Sequence, residues 1–195
     1  MRHYLSLVLI LLSVLPTSCL SAGGGAETRQ ETAAGLTFSV PKAWTASTPT
    51  SSMRAAQYTL PAEKETDAPE LVLYFFGEGQ GGDAQANVDR WIGQMQQPDG
   101  KPSAGRAKKE TRKVGEYKVT LVSIDGTYAG MGGMMGMTAS NPHDAAAPKP
   151  NYRLWAAVIE GKGGPWFFKG TGPRVAMQQA EKALNAMVAS FKPAG

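Results

Sequence analysis

The sequence predicts an α+β domain in which helices pack on a mostly antiparallel sheet. Its predicted elements run in the order strands, helix, strand hairpins, helix. The hairpins are joined by links of a few residues, and such links connect antiparallel strands, whereas parallel strands need long crossovers. One predicted strand, residues 70–76, is apolar on both faces, which is typical of a central strand covered on each side.

The first predicted elements are short strands that end at prolines. Residues 36–40 alternate apolar and polar side chains and stop at Pro41, which is the pattern of a half-buried strand. Residues 53–60 form a second strand, and residues 70–76 a third. We expect one folded domain that begins near Gly35 and extends over residues 35–192.

The first helix is predicted over residues 83–97. Four apolar side chains recur there at the spacing of one helical face: Val88, Trp91, Ile92 and Met95. Asp83 is a suitable N-cap residue, and Pro98 would end the helix.

The second half of the chain predicts two hairpins and a final helix. Residues 106–113 and 116–125 are one strand pair, and residues 152–159 and 166–169 are another around a glycine-rich turn. The final helix begins near Pro173, which suits a first helical turn. Its buried face would comprise five side chains: Ala180, Leu184, Met187, Val188 and Phe191.

Composition sets limits on function. The chain has 195 residues, 42% of them hydrophobic, which is enough for one domain with a real core. Its net charge of +4 is small and dispersed, so we expect no nucleic-acid partner. A single cysteine excludes a disulfide framework within the chain and a zinc site built on cysteines.

The first eighteen residues resemble an export signal. A short basic start precedes an apolar run of eleven residues, 5–15, and small residues follow it. Such a run makes a helix of about 16 Å, roughly half the thickness of a bilayer core. We therefore expect residues 1–18 to be a signal peptide and the mature protein to be exported.

Cys19 lies where a bacterial lipoprotein signal places its lipid-bearing cysteine. Thr17 and Ser18 fit that pattern, but Pro16 stands where leucine is usual. The alternative is ordinary cleavage near residues 21–22, with removal of Cys19. Residues 19–34 are small and polar, so we expect a flexible tether that would hold the domain at a membrane through the lipid.

Short motifs resemble the PsbP-like and Mog1-like domains. Residues 35–44 (GLTFSVPKAW) are similar to the opening of those domains, and residues 189–191 to their end. Residues 79–94 resemble a group of uncharacterised exported bacterial proteins. The resemblance implies a three-layer α/β/α sandwich around an antiparallel sheet and a non-enzymatic accessory or binding role. It supplies no catalytic residue, and nothing in the sequence indicates a photosystem partner.

Residues 77–82 satisfy the pattern G-x-G-x-x-G between a strand and a helix. In dinucleotide sites that pattern aims backbone N–H groups at a pyrophosphate. Here Glu78 and Asp83 would place negative charge beside that anion, and no parallel strand with a ribose-binding acid follows. We expect no dinucleotide and interpret the segment as a glycine loop that permits a tight turn.

A polar and aromatic strip follows on the first helix. Asn87, Arg90 and Gln94 lie three to four residues apart, with Trp91 beside them. Such a strip is either a helix edge with structural hydrogen bonds or part of a surface for a partner or ligand. The candidate surface comprises Gln80, Asn87, Arg90, Trp91, Gln94, Lys169 and Thr171.

Two members of that surface come from the segment before the final helix. Thr171 is interpreted as the cap of that helix. Together with Lys169 it is also a candidate for holding an anion at the helix N-terminus.

A methionine-rich segment is the candidate metal site. Its soft ligands, suited to Cu(I), would be Met131, Met134, Met135 and Met137, completed by His143. Methionines also fill irregular gaps and form adaptable contacts, so a partner-contacting loop and plain packing or disorder are the alternatives.

Residues 106–113 carry five basic side chains around one glutamate. Alternation along a strand would divide them between two faces. We interpret them as a charged edge strand that is protected from pairing with other chains, with attraction to anionic lipid headgroups or an acidic partner as the alternative.

Enzyme sites find little support. Removal of the signal leaves His143 as the one histidine, within a loop rich in proline, alanine and glycine. No G-x-S-x-G, H-E-x-x-H or P-loop pattern occurs.

The leading hypothesis is an exported, lipid-anchored, non-catalytic accessory or binding protein of the bacterial envelope, with an unidentified envelope protein as its partner. A Cu(I)-binding protein is the first alternative and a diverged hydrolase the second.

Overall fold

The computed structural model describes residues 27–49, 51–64, 68–129 and 147–195. The predicted signal peptide, Cys19 and the methionine-rich segment with His143 lie outside those residues. The described elements are β1 (Thr28–Ala33), β2 (Leu36–Pro41), β3 (Thr45–Ala46), β4 (Arg54–Thr59), β5 (Glu70–Tyr74), α1 (Ala84–Ile92), β6 (Met95–Gln96), a 3₁₀ helix (Ser103–Arg106), β7 (Lys108–Val114), β8 (Tyr117–Tyr128), β9 (Lys149–Glu160), β10 (Trp166–Pro173), α2 (Arg174–Ala189) and β11 (Lys192–Pro193). Within the described ranges, no helix is both long and apolar enough to cross a membrane.

One large antiparallel sheet forms the middle layer. Its strand order is β3-β4-β5-β10-β9-β8-β6, and β7 pairs with the same outer edge of β8. The strand predicted to be central, β5, lies between β4 and β10, and its middle residues 71–73 are buried. The predicted α+β class with an antiparallel sheet is confirmed.

The two faces of this sheet carry separate cores. On one face α2 packs over alternate strand residues such as Leu71, Trp155 and Phe168. On the other face α1 packs Val88 and Trp91 against residues that include the fully buried Val158 and Phe167. Because neighbouring residues of a strand point to opposite faces, Phe167 and Phe168 belong to different cores. Helices on both sides of a sheet make the predicted three layers.

The predicted tether is wrong over its last third, because residues 28–33 form strand β1. β1 pairs with β2 along its whole length in a three-stranded sheet, β1-β2-β11, beside α2. Positive φ angles at Ala34 (51°) and Gly35 (78°) form the tight turn between them. Arg29 fixes the outer end, since its guanidinium donates to Pro41 O (3.2 Å) and Trp44 O (2.9 Å). Backbone pairing therefore orders a segment whose own side chains bury little.

The first helix is shorter than predicted. Asp83 caps it as expected, with Oδ1 accepting a hydrogen bond from Ala86 N at 2.9 Å. The helix ends at Ile92, and Met95–Gln96 pair instead with the end of β8. Met95 fits the helical spacing of the apolar side chains, yet it is buried from strand β6 and not from the helix. A buried position at the right spacing therefore does not by itself show that the helix continues.

The basic segment lies on β7, at an edge of the large sheet. Most β7 side chains are exposed, and several are paired with acids. Lys109 lies 3.3 Å from Asp89, and Arg112 lies 3.0 Å from Glu110. This placement agrees with the interpretation as a charged edge strand, and the ion pairs reduce the local positive field.

Candidate functional site

A cavity opens where the short helix α1 leaves part of the sheet uncovered. Its volume is about 250 Å³. Side chains from β4–β5, α1 and β10 converge on it: Met53, Tyr74, Phe76, Asn87, Arg90, Trp91, Gln94, Phe167 and Lys169. Five of these nine residues belong to the polar and aromatic surface that the sequence indicated.

Lys169 supplies the charge at the floor of the cavity. It follows Phe167 by two residues on β10, so both side chains point to the α1 face. Its Nζ donates to Gln94 Oε1 at 2.6 Å and to the Tyr128 hydroxyl at 3.3 Å, and it lies 5.3 Å from the centre of the Tyr128 ring. An ammonium group has three donors, so these two contacts leave one N–H for another acceptor.

The Lys169 ammonium forms no ion pair with an acid in the described part of the chain. Within the described residues, no carboxylate oxygen lies within 4.0 Å of its Nζ. Burial, reinforced by the positive charge of Arg90, lowers the pKa of Lys169 to about 8. The fold thus holds a cation that it only partly compensates.

Arg90 provides a second cation at the cavity mouth. It is exposed on α1, and its Nη2 donates to Asn87 Oδ1. Asn87 is itself fixed, because its Nδ2 donates to Gly81 O (2.8 Å) and to Asp83 O (3.0 Å). Asn87 therefore has a structural role: it joins the glycine loop to α1 and orients Arg90 toward the cavity.

Gln94 reaches the site although it lies beyond the end of α1. Its backbone N–H donates to Trp91 O at 3.1 Å, and its carbonyl accepts from Ala129 N at 2.9 Å. The side chain is buried and presents Oε1 to Lys169. This arrangement fixes the position of the Lys169 ammonium.

Aromatic rings form the walls of the cavity. Trp91 and Phe76 each meet Phe167 edge to face, with ring centroids 6.3 Å and 5.8 Å apart. Gly81 lies under this cluster with a φ of 96°, and a Cβ there would stand 2.5 Å from Phe167 Cε2. The glycine loop therefore lets the backbone approach these rings closely, a packing reason for glycine that needs no phosphate.

Two apolar side chains at the rim are exposed to water. Among the described residues, three large hydrophobic side chains are exposed, namely Met53 (52%), Phe76 (39%) and Val175 (58%). Met53 and Phe76 both line the cavity, whereas Val175 lies on α2 across the sheet. Apolar area is thus concentrated at the cavity mouth, which is typical of a surface that contacts another molecule.

The carboxylate of Glu70, on the strand next to β10, takes part in a polar network of its own. Glu70 Oε1 accepts from Gln57 Nε2 at 2.6 Å and from Arg54 Nη1 at 3.3 Å. Arg54 also lies over the ring of Tyr74, 5.7 Å from its centroid. Glu70 is therefore engaged with its own cation, and its charge compensates Lys169 only in part and without a direct contact.

The other predicted surface residues lie outside the cavity. Gln80 is exposed on the glycine loop, and its backbone N–H closes a turn with Gly77 O. Thr171 faces the same side of the sheet as Lys169 but lies further along β10, opposite Glu70. The prediction that Thr171 caps α2 is wrong: Pro173 occupies the N-cap position, and no side chain bonds there.

Four lining residues were missed in the sequence, namely Met53, Tyr74, Phe76 and Phe167. Phe76 ends one predicted strand and Phe167 lies within another, positions that a buried core residue also occupies. The available signal is the apolar run 71–76, which continues past the end of β5 at Tyr74.

The architecture matches a known structure. The solution structure of cyanobacterial PsbP (CyanoP) from Synechocystis sp. PCC 6803 superposes with a TM-score of 0.51, covering 92% of this chain and 99% of that one. The chain has a PsbP-like fold. Sequence identity over the match is 10%, so the likeness concerns the fold alone. No protein-family model matches the chain, and no curated protein matches it either. The resemblance to Mog1-like domains stays a prediction.

Proposed function

We propose that this chain is a non-catalytic accessory or binding domain that is exported and held at the bacterial envelope by a lipid on Cys19. The observation that carries the binding role is the cavity beside α1. It combines the partly compensated cation of Lys169, the exposed cation of Arg90 and an apolar rim. Apolar area gains free energy when a second molecule covers it, and the two cations gain when that molecule brings an anionic acceptor.

The side-chain chemistry of the PsbP-like domain supports binding over catalysis. At the cavity, Lys169 is held between Gln94 and Tyr128, whose pKa is raised by burial, so the phenol stays neutral. The cavity thus offers hydrogen-bond donors, from Lys169 and Arg90, and apolar walls to a bound molecule.

Photo-crosslinking tests the binding role. A photoreactive phenylalanine analogue is placed at Met53, at the cavity rim, or at Val175, which is equally exposed on the opposite face. We expect the Met53 position to crosslink one envelope protein in living bacteria and the Val175 position not to. Arg90→Ala should weaken that crosslink. Equal crosslinking from both positions would contradict a binding role for the cavity.

Fractionation tests the envelope location. The full chain and its Cys19→Ala variant are produced in a bacterium, and membrane and soluble fractions are compared. We expect the parent chain in membranes with a mature N-terminal peptide that carries lipid on Cys19. The variant should appear without lipid in the soluble fraction. Recovery of the parent chain from the cytosol with Met1 still attached would rule out export.

A further inference from the structure

We propose that the Lys169 cavity binds a carboxylate carried beside an apolar side chain, as at the C-terminal end of a partner chain that finishes in an apolar residue. This inference rests on the proposed binding function and names the chemistry that the site would recognise. It follows from the charge, the size and the wall of the cavity.

Charge determines that the bound group is an anion. Lys169 and Arg90 both face the cavity, and the positive charge of Arg90 disfavours the ammonium form of Lys169. Glu70, the closest acid on the neighbouring strand, already accepts bonds from Arg54 and Gln57. An incoming anion would accept the remaining N–H of Lys169 and relieve the repulsion between the two cations.

Size and wall chemistry favour a carboxylate on an apolar group over a larger anion. A volume of about 250 Å³ lies just below the roughly 300–1,000 Å³ that drug-sized ligands occupy, so the space suits about one residue. The walls around Lys169 are the rings of Trp91, Phe76 and Phe167. A strongly hydrated dianion such as phosphate would lose water there without enough donors in return.

The position of the apolar wall favours a chain end over an acidic side chain. In a C-terminal residue, the carboxylate and the apolar side chain leave the same carbon, so one residue contacts both the Lys169 ammonium and the aromatic rim. An aspartate or glutamate bears its carboxylate at the tip of its own side chain and would bring no apolar group into the same space.

The binding experiment compares peptides that differ in one group. A short peptide ending in phenylalanine with a free carboxyl group, its C-terminal amide, and an amidated peptide with glutamate before phenylalanine are titrated into the full chain by calorimetry. Inorganic phosphate is the fourth probe. We expect the free acid to bind with a dissociation constant on the order of 1 mM or tighter and at least about tenfold better than the other three.

Variants connect that binding to the cavity. Lys169→Met and Arg90→Ala should each weaken binding of the free-acid peptide, and Lys169→Met should raise its dissociation constant by about tenfold or more. Lys182→Met is the matched control, since it removes the same charge from an exposed position on α2 and should leave binding unchanged. Thermal unfolding of each variant shows that it is folded, and Arg90→Ala, at an exposed residue, keeps the test valid if Lys169→Met unfolds.

The pH profile gives an independent readout. The charged groups around Lys169 are Arg90 from α1, Glu70 from β5 and Arg54 from β4, and the titratable phenols there are Tyr128 from β8 and Tyr74 from β5. A bound carboxylate favours the ammonium form, so affinity should fall as the pH rises above about 8. A free acid that binds no better than its amide or than phosphate, or no binding at all by about 10 mM, would overturn the inference. A partner crosslinked through Met53 would in that case still support the proposed function.

Discussion

The two faces of the large sheet differ in how completely they are covered. The α2 face lies under a helix of sixteen residues and the small β1-β2-β11 sheet, and its aromatic side chains are buried. The opposite face lies under α1, which has nine residues, and beside that helix Lys169 lines a cavity whose rim exposes Met53 and Phe76. Both faces therefore contribute a core, but the shorter cover on the α1 face leaves room for a site.

The largest expected effect is a difference in unfolding free energy between a ring buried under α2 and a ring at the open cavity. Phe168→Ala removes a fully buried ring that meets Phe38 edge to face at 5.2 Å and stacks on Phe191 at 5.5 Å. We expect the free energy of unfolding, measured by urea titration, to fall by about 3–5 kcal/mol. Phe76→Ala, at the open face, should cost roughly 1 kcal/mol or less. Similar losses at the two positions would contradict the comparison.

A smaller effect concerns Lys169 and pH. Because burial lowers the pKa of Lys169 to about 8, the folded chain loses this proton at a lower pH than the unfolded chain does. The unfolded state then binds more protons, so the free energy of unfolding should rise between about pH 8 and pH 10. Lys169→Met should lack this rise and be more stable than the parent at pH 7, by roughly 1–3 kcal/mol.

The window for that measurement has an upper limit set by tyrosines. Burial raises the pKa of Tyr58, Tyr74 and Tyr128 above 10, so their ionisation in the unfolded state lowers stability at higher pH. The parent and Lys169→Met are therefore compared by urea titration at pH 7, 8, 9 and 10. If the free energy of unfolding changed with pH in the same way for both chains, burial of the Lys169 ammonium would not destabilise the parent.

The smallest expected effect tests the shorter helix. Asp83→Ala removes the acceptor of the Ala86 N–H at the start of α1 and should cost about 1 kcal/mol in thermal unfolding. Asp83→Asn keeps a side-chain oxygen and should retain most of that stability. Amide exchange should accelerate in α1 but not in α2. An equal increase in both helices would show that the two faces unfold together.

Particular residues show how far the sequence was informative. The alternation at residues 36–40 predicted β2, and the apolar side chains on both faces of residues 70–76 predicted β5. The cap at Asp83 predicted the start of α1. The spacing of Asn87, Arg90 and Gln94 indicated one side of the cavity. These features are local, because each depends on residues that are close in the chain.

The remaining parts of the site and fold depend on distant residues. Thr28–Ala33 bury little by themselves and become a strand only through the ladder to β2. Gln94 and Lys169 are 75 residues apart in the chain, and only the fold brings them into a 2.6 Å contact. The fixed role of Asn87 depends on Gly81, which approaches Phe167 from a different part of the chain.

The amino-acid sequence alone determined which segments alternate, which are apolar on both faces and where a helix starts, because these are properties of neighbouring residues. Only the tertiary structure decided that Lys169 meets Gln94 beside α1 and that, among the described residues, no carboxylate oxygen lies within 4.0 Å of its Nζ. Compensation of a charge depends on every group within a few ångströms, and those groups come from β4, β5, β8 and α1.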